Sequence, residues 1–79
     1  MTDTDMLNEA IMRSGIKRKT LASKMGISDH ALYNKINNKT GFKISEVLVL
    51  EDELRLTESE TRRIFFGQNV DFKSTLRTR

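Results

Sequence analysis

The chain contains no cysteine and no proline. The first absence excludes a disulfide staple and thiolate zinc. The second leaves nothing that forces a helix to break. No alternating β-branched series is present, so the chain is expected to be all-helical over most of its 79 residues. An apolar run of about 18 residues is missing as well, which excludes a membrane-spanning helix. The opening stretch MTDTDMLNEA is acidic and polar, unlike a signal peptide, and a cytoplasmic location is the expectation. A length of 79 residues makes one domain, and a chain this short buries only about 60% of its unfolded surface.

Chemistry-bearing motifs are equally sparse. There is no P-loop, no nucleophile elbow and no dinucleotide fingerprint. The one histidine, His30, has no cysteines or clustered carboxylates with which to hold zinc. The consecutive acids Glu51, Asp52 and Glu53 fan out around a helix axis and do not form a general acid–base pair. Neither an enzyme nor a cofactor is expected.

What is present is a strong segregation of charge. Residues 17–43 carry seven basic side chains, Lys17, Arg18, Lys19, Lys24, Lys35, Lys39 and Lys43, against Asp29 alone. Residues 44–60 carry six acids against Arg55 alone. A concentrated cation block in a protein of net charge +3 is the footprint expected of a nucleic-acid-contacting face.

Five helices are expected. The first runs from about 5 to 13, capped by Thr4 or Asp3, with Leu7, Ala10 and Ile11 inward and Gly15 as its stop. The second and third run from about 18 to 25 and 29 to 36. A polar turn, Asn37-Asn38-Lys39-Thr40-Gly41, follows, with Phe42 anchored beneath it. The fourth runs from about 44 to 54. Lys43 is a poor N-cap there, Glu46 stands at the acid position of a capping box, and Ser45 competes. Its inner face is expected to be Val47, Leu48 and Leu54, with Leu50 at the edge and Val49 outward. Thr57-Glu58-Ser59-Glu60 is a capping box that starts a fifth helix, with Ile64 and Phe65 inward and Gly67 ending it. Residues 68–79 lack a helical stripe, and termini are commonly disordered.

The second and third helices form a helix-turn-helix. Leu21 and Ala22 face inward, Met25 closes the first of the pair, and Gly26 supplies the sharp turn. Ile27 plugs the corner, Ser28 caps the next helix, and Leu32 and Ile36 face inward at i, i+4. That leaves Asp29, His30, Tyr33 and Asn34 pointing outward, as a reading helix in a major groove requires.

The blocks GIKRKTLASKMGIS, LYNKINNKTGF and FKISEVLVLEDELRLTESETRRIFF resemble the lambda-repressor-like, or Cro-type, family of small phage-encoded repressors over about residues 5–66. Ala22 and Gly26 match its two most diagnostic positions, and Leu56-Thr57 matches the pair before its last helix. Arg18 stands where the family often has glutamine; arginine can still clamp a phosphate bidentately. The resemblance implies a compact five-helix DNA-binding domain over residues 1–66. Residues 67–79 are then a tail or dimerisation arm.

On this reading the base contacts are Asp29, His30, Tyr33 and Asn34. Asn34 can pair with adenine N6 and N7. Asp29 either accepts from cytosine N4 or serves only the helix dipole. Tyr33 either meets DNA or is half-buried against the second helix. The phosphate contacts are Arg18, Lys19, Ser28, Lys35, Asn37, Lys39, Thr40 and Lys43. The expected partner is an operator in double-stranded DNA, bound as a homodimer, with Val49, Phe66, Val70 and Phe72 as interface candidates. Two alternatives use the same fold: an antirepressor that masks a partner repressor, and an antitoxin whose tail orders on a toxin.

Overall fold

The computed structural model describes residues 1–67. These form α1 (Thr4–Ser14), α2 (Arg18–Met25), α3 (Asp29–Ile36), α4 (Ile44–Glu53) and α5 (Glu58–Thr61). The last of these widens into a π-helical stretch over Arg62–Phe66. No strand occurs among the described residues, and no helix there is long and apolar enough to cross a membrane.

Local chemistry sets the helix ends. Asp3 caps α1 by accepting from the Met6 N–H at 3.0 Å. Thr4 reaches further along the chain. Its hydroxyl donates to the Ile36 carbonyl at 2.6 Å, tying the start of α1 to the end of α3. Ser28 caps α3 through the Ala31 N–H, also at 3.0 Å. At α5 both halves of the capping box form, Glu60 N–H to Thr57 Oγ1 and Thr57 N–H to Glu60 Oε1. At α4 the Glu46 carboxylate accepts from the Lys43 N–H at 2.7 Å, and Ser45 is not the cap.

Three helices close on one hydrogen-bond pattern with three different residues at its left-handed position. Gly26 (φ 73°) ends α2, with the Ile27 N–H on the Ala22 carbonyl. Asn38 (φ 66°) ends α3, with the Lys39 N–H on the Asn34 carbonyl. Arg55 (φ 54°) ends α4, with the Leu56 N–H on the Glu51 carbonyl. Each satisfies carbonyls that a helix end otherwise leaves bare.

The core is aliphatic, with Leu7, Ala10, Ile11, Leu21, Ala22, Leu32, Ile36, Val47, Leu50, Leu54, Leu56 and Ile64 joined by Phe65. Phe42 packs edge-on against Phe65, ring centroids 5.3 Å apart, as the anchor beneath the α3–α4 loop. Ile16, Ile27 and Phe66 are half-buried against the same cluster.

One inner face differs from expectation. Leu50 is fully buried, whereas Leu48 is 58% exposed. At 3.6 residues per turn, Leu50 and Leu48 lie about 60° and about 100° to either side of Val47. Leu54, buried about 20° from Val47 on the Leu50 side, marks the inner face, and Glu46 on that same side pairs with Lys35.

Candidate nucleic-acid interface

A three-residue corner, Gly26 to Ser28, joins α2 to α3. Leu21, Ala22, Leu32 and Ile36 are buried behind it, which fixes the face that α3 turns outward. On that face Asp29, His30 and Tyr33 are exposed and Asn34 is half-buried. Tyr33 is 54% exposed, which decides against its burial on α2. His30 and Tyr33, one turn apart, stack with ring centroids 6.3 Å apart and planes 15° from parallel. The Lys39 ammonium stands 5.7 Å from the Tyr33 centroid, within cation–π range. The three side chains form a continuous outward row.

The expected phosphate contacts divide into two groups. Lys19, Ser28, Asn37, Lys39, Thr40 and Lys43 are exposed. Arg18 is also exposed, but its guanidinium donates to Asn8 Oδ1 at 2.6 Å, so its reach is set from α1. Asn37 donates to the Tyr33 carbonyl at 2.9 Å and closes the helix end. Lys35 differs from the rest. Its side chain is only 13% exposed, and its ammonium lies 3.2 Å from Glu46 Oε1 and 2.9 Å from the Gly41 carbonyl. The expected phosphate contact at Lys35 thus competes with an ion pair inside the fold.

Two contributors were missed from sequence. Asn38 exchanges hydrogen bonds with Thr2, accepting the Thr2 N–H at 2.8 Å and donating to the Thr2 carbonyl at 2.9 Å. This fastens the loop after α3 to the N-terminal residues. An asparagine just past a helix is the residue that tolerates φ > 0, and that was its available signal. Glu46 was seen only as a cap, and nothing local reveals its second partner on α3.

Helix α4 presents the exposed apolar side chains Ile44 and Leu48 beside Glu51, Glu58 and Arg62. Val49 and Phe66, two of the interface candidates, are half-buried. The other two, Val70 and Phe72, lie outside the described residues. No group of three or more metal-ligating side chains comes together among the described residues.

Comparison with protein-family models, with curated proteins and with solved structures finds no match. The class defined by geometry is an all-helical domain in which a short helix is held across a tight corner with a polar, cation-flanked face outward.

Proposed function

We propose that this protein is a sequence-specific double-stranded DNA-binding regulator, a lambda-repressor-like helix-turn-helix domain that represses transcription by occupying an operator. The observation that carries the reading is the outward face of α3. Asp29, His30 and Tyr33 are exposed with Asn34 beside them, Lys39 stands over Tyr33, and Lys43 is exposed at the end of the following loop. Base-edge contacts from α3 choose the sequence, and the surrounding cations neutralise phosphates. One such unit covers half a site, so a homodimer on a pseudo-palindrome is proposed, with its reading helices about 34 Å apart.

Selection from random duplex DNA, followed by affinity measured across a salt series, tests this. The expected result is one enriched half-site motif and a log–log salt slope of about −0.9 per neutralised phosphate. No enrichment and no salt dependence would refute it.

A second reading is favoured by a separate observation. The exposed Ile44 and Leu48 among acids suit a protein partner, as an antirepressor would need. Tight binding to a protein with no binding to DNA is its signature.

A further inference from the structure

Lys35 and Glu46 are the most buried ion pair of the described residues, with side chains 13% and 8% exposed. The pair has a wider reach than two charges. Glu46 Oε1 lies 3.2 Å from the Lys35 ammonium and accepts from the Lys43 N–H at 2.7 Å. The same ammonium donates to the Gly41 carbonyl at 2.9 Å. One carboxylate and one ammonium thus join three parts of the chain: the last turn of α3, the loop from 37 to 43, and the first turn of α4.

Those parts have different roles in DNA binding as proposed for this protein, and the inference rests on that function. The helix bears the proposed base readers, and the loop bears the proposed phosphate contacts Asn37, Lys39, Thr40 and Lys43. Phosphate contacts set a protein's register on the duplex, and base contacts read the sequence in that register. The two sets act together only if their relative placement is fixed. A buried ion pair adds little net stability over an apolar pair of the same size, and its best-attested use is to fix register.

We propose that Lys35 and Glu46 are positioning residues for operator discrimination. They clamp the phosphate-binding loop in register with the reading helix while touching no DNA themselves. Lys35 therefore contributes nothing to counterion release, although it is a lysine on the reading helix.

The test uses the full chain with Lys35→Met, Lys35→Arg and Glu46→Gln, each confirmed folded by circular dichroism. Affinity is measured on the selected operator and on random duplex across a salt series. The clamp predicts that Lys35→Met and Glu46→Gln each lower the operator-to-random ratio by about tenfold, the size of one lost base-pair match. Salt slope and random-DNA affinity stay at the wild-type values, and Lys35→Arg recovers most of the ratio. If Lys35→Met instead shrinks the slope by about 0.9 and weakens both duplexes equally, Lys35 is a phosphate contact and the clamp is wrong. An unchanged ratio in Glu46→Gln overturns it too.

Amide exchange without DNA separates failure of the clamp from failure of the DNA reading. The clamp predicts that Lys35→Met speeds exchange at Lys39, Thr40 and Lys43 by about tenfold through local opening. Unchanged exchange refutes the clamp whether or not the wild type binds DNA. Faster exchange in a protein that binds no duplex refutes the operator role.

Discussion

The side of the molecule built on α2 and α3 and the side built on α4 and α5 share one core but have opposite surfaces. On α3 and the loop after it the exposed groups include His30, Tyr33, Lys39 and Lys43, with Asp29 as an acid among them. On α4 the exposed groups are Ile44 and Leu48 among acids. Where the sides meet, opposite charges pair: Lys24 with Glu53 at 3.7 Å and Lys35 with Glu46 at 3.2 Å. The acidic block thus neutralises Lys24 and Lys35 at the seam, while Lys39 and Lys43 stay exposed. Position relative to the seam, more than residue type, decides which lysine is available.

The sharpest contrast to break lies within α4. Leu50→Ala should destabilise the fold by about 2–5 kcal/mol, because it empties a fully buried site. Leu48→Ala, on the exposed side, should stay within about 0.5 kcal/mol. Urea unfolding of both variants checks the assignment, and equal effects would contradict it.

Next in size is the reading face. Asn34→Ala should cost about 1–3 kcal/mol on the selected operator and relax preference at one base pair, with folding nearly unchanged. Binding titrations on operator variants measure it.

Smaller again is a comparison of helix ends. Gly26→Ala meets no atom within 4 Å of the new Cβ, so its expected cost of about 1–2 kcal/mol is backbone strain alone. Arg55→Gly relieves the same strain at the end of α4. It loses about 0.4–1 kcal/mol to unfolded-chain entropy, so a net gain of about 0.5 kcal/mol is expected. Thermal melts of the two variants should move in opposite directions.

The smallest effect concerns Glu60 on the acidic side. The Thr57 backbone N–H donates to its carboxylate, with Arg13 nearby, and holds its pKa below the ordinary 4.5. A carboxyl lowered in the folded state contributes stability in full above its unfolded value. That contribution is lost as pH falls through the lower, folded value. Wild type should therefore lose more stability than Glu60→Gln in acid below 4.5, with a small difference because the half-buried group is still reached by solvent. Parallel pH–stability curves would contradict this.

Much of the architecture was legible in sequence, for local reasons. The bounds of α2 and α3 follow from Gly26, Ser28 and the inward spacing of Leu21, Ala22, Leu32 and Ile36, all interactions within a few residues. The α5 capping box is equally local. The misjudged inner face of α4 was local too, since Leu54 lies about 20° from Val47 on the Leu50 side. What the sequence does not show is non-local, such as the ion pair of Lys35 with Glu46 that joins α3 to α4. Thr4 showed no sign in sequence that its hydroxyl reaches Ile36, a residue far along the chain.

The most direct test of the central claim maps the selected operator onto the isotope-labelled full chain by NMR. The account predicts that shifts concentrate at His30, Tyr33, Asn34, Lys39 and Lys43 and leave Leu48 and Glu58 unmoved. Shifts confined to the α4 side, or none at saturating DNA, would contradict it.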